Sequence, residues 1–331
     1  MSAPARARIA LIATGGTIAG VGAPGAAAYR AAALPVRELI AAAPGLADLA
    51  DLRAEQLMQI DSADFTDELL LQLARRVAAL CARGDVDGVV ITHGTDTLEE
   101  SAYLLHLTVP SRKPIVLTGA MRPATAPSAD GPANLLAAVA VAAHPSSAGR
   151  GALVVMGEQI HSGRDVSKTH ASRPDAFASP HGALGQVAEG APRWYRALTR
   201  AHTATSEFDI TRIAALPLVG LVTSHGNMRA EIYRAWGQAG ARAIVHAGFG
   251  GGTAPAYLTP TLRELCQRGI HIVRASRTGS GALIRNAGFD DDACGSVAAD
   301  DQPPSRARLL TALALTRTQD AGQLQQVFWR Y

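Results

Sequence analysis

The sequence repeats one local event seven times. A short run of apolar β-formers ends in a small or hydroxyl residue followed by glycine. The runs are "RIALIATGGT" (8–17), "DGVVITHGT" (87–95), "PIVLTGA" (114–120), "ALVVMGE" (152–158), "LVGLVTSHG" (218–226), "AIVHAGFGGG" (243–252) and "IHIVRASRTGSG" (270–281). Each is continuously hydrophobic rather than alternating, the pattern of strands covered on both faces, as in a parallel sheet. Helical stretches lie between them. Residues 66–81 place Leu69, Leu70, Leu73, Val77 and Leu80 on one stripe, and 130–144 and 305–318 read the same way. Strand alternating with helix predicts an α/β fold with right-handed crossovers.

A chain of 331 residues is long for a single core. Two α/β domains are expected: a larger N-terminal one, mainly parallel sheet, over 1–190, and a smaller parallel-sheet one over 217–331. Between them, 191–216 is polar and shows no strand run, so it reads as a linker. Stretch 160–185 is irregular, with "SGRDVSK" (162–168) as a hairpin tip.

Several function classes drop out on composition. Lys and Arg number 31 against 28 Asp and Glu, for a net charge of +3, and the basic residues are scattered. Neither a nucleic-acid surface nor a membrane surface is indicated. No stretch approaches the roughly 20 apolar residues that cross a bilayer. Cys81, Cys266 and Cys294 are too widely spaced for a disulfide framework or a zinc pattern. Free thiols suit a reducing compartment. The apolar run near the N-terminus is too short for a signal peptide and ends in Thr-Gly-Gly instead of a cleavage site, so a cytoplasmic protein is expected. The ten histidines form no H-E-x-x-H and no Cys/His cluster, and no metal or cofactor is expected.

Ligands of such sheets sit at the carboxyl ends of the strands, so the polar strand tips draw attention. "ATGGTIAG" (13–20) holds Thr17 on a glycine-flanked loop, without the spacing of a dinucleotide or phosphate loop. A threonine hydroxyl there can be a nucleophile if a base activates it; more often such residues only line a turn. "THGTDTLEE" (92–100) offers Thr97 and Glu100 as a capping box and Asp96 as an acid favoured at a helix N-terminus. Capping explains Thr92, His93 and Thr95 less well.

Taken together, the two tips resemble the paired signature motifs of the bacterial L-asparaginases, the asparaginase/glutaminase amidohydrolases, with the type II-like branch as the nearest pattern. "GAMRP" (119–123), "SADGP" (128–132), "GRDVSK" (163–168), "RARLLTALALTRT" (306–318) and "QQVF" (325–328) extend the resemblance over nearly the whole chain. It implies hydrolysis of L-asparagine to L-aspartate and ammonia, with weaker L-glutamine hydrolysis as a further activity. Thr17 matches the family's nucleophile, Tyr29 the tyrosine of the loop after it, and Ser62 the serine holding the substrate α-carboxylate. Thr95 and Asp96 match the second motif's threonine and aspartate, and Lys168 the lysine beside them. Asp96 would pair with the substrate ammonium, and Lys168 would act as base, which requires its neutral form: burial favours that form and Asp96 opposes it. Backbone N–H groups of the glycine-rich tips would bind the oxyanion. The family also implies a homo-oligomer, a tetramer built from tight dimers, with a site closed by the neighbouring chain.

The pattern is broken at three places. Ala63 stands where a glutamine or glutamate follows the serine. Gly288 stands where the neighbouring chain's glutamate is expected. The loop "VGAPGAAAY" (21–29) is about one residue short. Ala63 and Gly288 keep open a competing reading, a non-catalytic amino-acid-binding or regulatory module on the same fold, against which the intact set Thr17, Thr95, Asp96 and Lys168 argues. An ammonia-producing amidotransferase subunit would need a further domain that 331 residues do not hold.

Overall fold

A computed structural model describes residues 6–23 and 28–331. The first five residues of the N-terminal stretch weighed as a signal peptide, and residues 24–27 of the loop 21–29, therefore lie outside the described residues. The chain divides into two compact units, Met1–Arg212 and Ile213–Tyr331.

The first unit is built on an eight-stranded sheet. Its strands are β1 (Arg8–Gly15), β4 (Asp51–Ile60), β5 (Gly88–Thr92), β6 (Ile115–Thr118), β7 (Ala152–Met156), β8 (Gln159–Ser162), β11 (Gly185–Ala188) and β12 (Ala191–Trp194), in the order β12-β11-β8-β7-β6-β5-β1-β4. The stretch from β7 to β4 is parallel, and β8, β11 and β12 join antiparallel at the other edge. Two small antiparallel pairs flank it: β2 (Val21–Gly22) with β3 (Tyr29–Arg30), and β9 (Ser167–Lys168) with β10 (Phe177–Ala178). On one face Ile9, Leu11, Val90, Val116, Leu153 and Val155 form a core with Leu135, Ala138, Val139 and Val141 of helix α5 (Gly131–Ala143), and α1 (Val36–Ala41) and α2 (Leu46–Leu49) add Leu39 and Leu46. Alternate strand residues point the other way, toward α3 (Asp67–Cys81) and α4 (Leu98–Thr108). Leu70, Leu73, Val77 and Leu80 of α3 are buried as their spacing requires; Leu71 joins them, while Leu69 lies at the margin.

The second unit has a four-stranded parallel sheet, β13 (Val219–Thr223), β14 (Ala243–Gly248), β15 (His271–Ser276) and β16 (Val297–Ala298), in that order. Val222, Ile244 and Ile272 pack with Tyr233 of α6 (Glu231–Gln238) and with Leu262 and Leu265 of α7 (Thr259–Gln267). Short α8 (Asp291–Cys294) lies beside α7, while α9 (Pro304–Leu315) covers β13, β14 and β15 and α10 (Ala321–Arg330) packs on β16.

All seven apolar runs are strands of the two sheets, and the two α/β layers match the expected fold class. Two expectations need correction. The first unit extends past residue 190, and the segment expected to be a linker contributes β12. That strand is the outermost of its sheet and carries Pro192 and Arg193. An edge position tolerates proline and favours charge, so the strand lacks an apolar signature. "SGRDVSK" is not a hairpin tip. The β7–β8 hairpin turns at Gly157 and Glu158, whereas 163–166 lead from β8 to β9, which pairs with β10 in a separate ribbon.

Candidate functional site

The first tip leaves β1 through Gly15 and Gly16, at φ +107° and +78°. This left-handed region favours glycine. A Cβ on Gly16 would stand 2.2 Å from the Gly94 Cα, so the tips of β1 and β5 meet backbone to backbone. Gly16 N–H donates to Ile60 O of β4 (3.0 Å), and the chain then turns tightly over Thr17–Ala19, closed by Gly20 N–H to Thr17 O (2.8 Å). Thr17 is buried, and its Oγ1 lies 2.7 Å from the Tyr29 hydroxyl; either oxygen can donate. Pairing of Gly22 with Tyr29 folds β3 back over the tip. Gly20 makes room for the tyrosine ring, which a Cβ there would approach to 2.8 Å.

The second tip is fixed from beneath. His93 N–H donates to Thr118 O of β6 (2.8 Å). The His93 ring is buried, with Nδ1 2.8 Å from Gly94 O and Nε2 2.8 Å from Ser101 Oγ. A carbonyl can only accept, so Nδ1 carries the proton and Nε2 accepts from the serine. Burial pushes this imidazole down to about 4, which keeps it neutral. His93 is thus a brace joining the tip to α4, which accounts for a residue that capping did not explain.

Ser62 sits under Gly94, where a Cβ would come within 2.4 Å of its Oγ. That Oγ accepts from Asp96 N–H (3.2 Å), which leaves the serine O–H as a donor. Lys168 Nζ donates to Thr95 Oγ1 at 3.0 Å and to Asp96 Oδ1 at 2.5 Å. The Asp96 side chain is 55% exposed, so solvent screens this ion pair and its value is positional. The structure therefore gathers the six expected residues into two groups, Thr17 with Tyr29 and Ser62 with Thr95, Asp96 and Lys168. The Gly16–Gly94 contact joins the groups.

The capping box is corrected. Thr97 is the N-cap residue of α4 but makes no side-chain cap; its hydroxyl donates instead to Ser62 O (2.8 Å). The tertiary bond wins because it ties the tip to the Ser62 turn. Two positioning residues escaped sequence reasoning. Glu99 accepts from the Lys168 backbone N–H (2.7 Å) and so sets the strand that carries the lysine. Asp130 accepts from Met121 N–H and Arg122 N–H (both 2.9 Å) and pins the loop after β6. An acid in a helix first turn was the available signal for Glu99, and the stretch "SADGP" for Asp130.

The departures also have structural correlates. Ala63 is exposed beside Ser62 and offers no polar group. Gly288 adopts φ +70°, where a glutamate would be strained. Among the described residues, no group of three or more His, Cys, Asp or Glu is placed to hold a metal ion.

Comparison with known proteins identifies relatives of the chain over both units. The family model "Asparaginase, N-terminal" matches residues 8–200, and "Glutaminase/Asparaginase C-terminal domain" matches 218–328. A glutaminase-asparaginase of Pseudomonas aeruginosa is 50% identical over 98% of this chain and 90% of its own length. A probable periplasmic L-asparaginase of Haemophilus influenzae is 42% identical over 97% of this chain and 92% of its own. The crystal structure of a probable cytoplasmic L-asparaginase from Campylobacter jejuni superposes with a TM-score of 0.95 at 42% identity, covering 98% of this chain and all of that one.

Proposed function

The chain belongs to the asparaginase family, and from that premise we propose that it is an amidohydrolase that converts L-asparagine to L-aspartate and ammonia, with L-glutamine as a second substrate. The observation that carries the reading is a pair of hydroxyls, each held by a proton-handling partner, on two strand tips in backbone contact. They are Thr17 with Tyr29 at 2.7 Å and Thr95 with Lys168 at 3.0 Å. In this reading the Thr17 oxygen attacks the carboxamide carbon as its proton passes to a base. The tetrahedral oxyanion collapses, ammonia leaves, and water entering by way of Thr95 and Lys168 hydrolyses the acyl-enzyme. Tyr29 takes part in the proton transfer at Thr17. Ser62 O–H holds the substrate α-carboxylate and Asp96 its ammonium.

Gly16 N–H and Asp96 N–H already have internal acceptors. The oxyanion donors are therefore assigned to other amides of the two tips. We also propose a homotetramer of tight dimers, consistent with the family, and a cytoplasmic location. Three free thiols support the latter, although named relatives come from both compartments.

The test is ammonia release from L-asparagine and L-glutamine by the purified chain. Turnover of asparagine sustains the proposal. A chain that binds L-aspartate but releases no ammonia from either amide would instead be the non-catalytic module.

A further inference from the structure

We propose that Thr125 is a positioning residue for the reaction: its one hydroxyl grips both backbone polar atoms of Gly22 and so holds the Tyr29 hydroxyl against Thr17. The inference rests on the roles given to Thr17 and Tyr29 above. Tyr29 reaches Thr17 from a ribbon of two residue pairs, Val21 with Arg30 and Gly22 with Tyr29. So short a ribbon is not stable by itself. Tyr29 is 41% exposed and Arg30 is exposed, so burial does not fix β3 in place. Its position must come from hydrogen bonds to the rest of the first unit.

The return leg has its own ties. Ala32 N–H donates to Gly16 O (3.0 Å), and Ala33 N–H and Leu34 N–H both donate to Ala19 O (2.7 and 2.9 Å). The outgoing leg is tied to the segment that follows β6. Ala124 N–H donates to Gly20 O (2.9 Å). Thr125 Oγ1 accepts from Gly22 N–H (2.9 Å) and donates to Gly22 O (2.8 Å). One hydroxyl can do both, since it carries a proton and two lone pairs. The side chain thus acts as one more strand residue along the edge of β2.

These bonds fall where Tyr29 is cradled. A Cβ on Gly22 would stand 2.9 Å from the Tyr29 Cβ, and a Cβ on Gly20 would stand 2.8 Å from the tyrosine ring. Both glycine backbones therefore lie against the tyrosine, Gly20 at its ring and Gly22 at its Cβ. Ala124 holds the first glycine and Thr125 the second, so a shift of Gly22 carries Tyr29 with it. Thr125 stands on a segment that resists such a shift. Asp130 accepts from Met121 N–H and Arg122 N–H, and Arg122 Nη1 donates to Ser128 O (3.1 Å) and Ser128 Oγ (2.6 Å). Pro123 and Pro127, two residues to either side of Thr125, restrict its backbone further.

Thr125 is exposed, so removing its hydroxyl leaves Gly22 N–H and O to water. The fold then loses little, whereas the Tyr29–Thr17 geometry loses its outer support.

The experiment compares Thr125→Val, which keeps the shape and loses the hydroxyl, with Thr125→Ser, which keeps the hydroxyl. Initial rates with L-asparagine are measured for each, alone and combined with Tyr29→Phe. Amide exchange of the Gly20–Gly22 segment is followed by mass spectrometry, a readout that does not depend on turnover. A misplacement of about 1 Å costs on the order of 10²-fold in rate, so a partial loss of register in Thr125→Val should lower kcat by on the order of 10-fold. Its urea midpoint should stay near wild type, and the Gly20–Gly22 amides should exchange several-fold faster. Thr125→Ser should restore both kcat and protection. In the Tyr29→Phe background Thr125→Val should lower kcat by less than about twofold, because the hydroxyl it positions is gone. Equal fractional losses in the two backgrounds, or unchanged exchange in Thr125→Val, overturn the inference. If Tyr29→Phe lowers kcat and Thr125→Val does not, the role of Thr125 alone fails. If Tyr29→Phe turns over at the wild-type kcat, the role of the tyrosine fails and the inference falls with it.

Discussion

Replacing Gly16 by alanine adds one methyl group at the contact that joins the two strand tips. At φ +78° and ψ −170°, a region essentially confined to glycine, an L-residue carries strain of about 1–3 kcal/mol. The new Cβ would also stand 2.2 Å from the Gly94 Cα, where carbon atoms normally rest about 3.5–4 Å apart. The tips must therefore separate by more than about 1 Å. Gly94 cannot retreat, because the Ser62 side chain fills the space beside it. Overpacking of this kind costs about 1–3 kcal/mol, so the total loss of stability is about 2–6 kcal/mol. Whatever displacement remains falls on Thr17 and Thr95, and a shift of about 1 Å at reacting groups costs on the order of 10²-fold in rate. The assay is a urea unfolding curve together with initial rates of ammonia release. Gly84→Ala serves as control, since no atom lies within 4 Å of a Cβ there; its midpoint should match the wild type. If Gly16→Ala keeps both the wild-type midpoint and kcat within twofold, the argument that the two tips depend on backbone contact is refuted.

Other consequences follow from the same geometry. If Lys168 and Thr95 share one proton path, kcat for the Lys168→Met/Thr95→Val double variant should be hardly below that of the worse single variant; fully multiplicative losses would show that they act independently. His93 is neutral when folded, with its imidazole down at about 4 against the ordinary 6.5, so the unfolded chain binds more protons between those values. Its contribution is complete above pH ~6.5 and is lost as pH falls toward ~4, by up to about 3 kcal/mol, and urea midpoints measured across that window should fall less steeply in His93→Gln. Asp291→Ala leaves Arg274 buried without its carboxylate and should cost about 3–5 kcal/mol in equilibrium unfolding; a loss under about 1 kcal/mol would show that the pair is not a structural anchor.

Seven of the nine parallel strands among the described residues were legible because burial on both faces forces continuous apolar runs. β4 was not. Its "DLRAEQLMQI" lies at the open edge of the sheet, where Glu55 meets Arg76 and Arg53 meets Asp85, so its sequence carries the charge of an edge rather than the signature of a core. β12 was hidden for the same reason. At the site, Thr17, Thr95 and Asp96 announce themselves as polar groups at strand tips, and resemblance supplied Tyr29, Ser62 and Lys168. What stayed illegible depends on distant pairings. Glu99 meets Lys168 across 69 positions of chain. Thr97 reaches back 35 positions to Ser62 instead of capping its own helix. Local spacing carries no trace of either bond.

In the proposed reaction the Thr17 hydroxyl is the nucleophile, and kcat for L-asparagine in Thr17→Ala is the sharpest check on that role. The Thr17 hydroxyl pairs with that of Tyr29, itself 41% exposed, so the urea midpoint should stay close to wild type while kcat falls by on the order of 10³-fold or more. Turnover within a few-fold of wild type in a folded Thr17→Ala protein would contradict the account and transfer the nucleophile's role to Thr95.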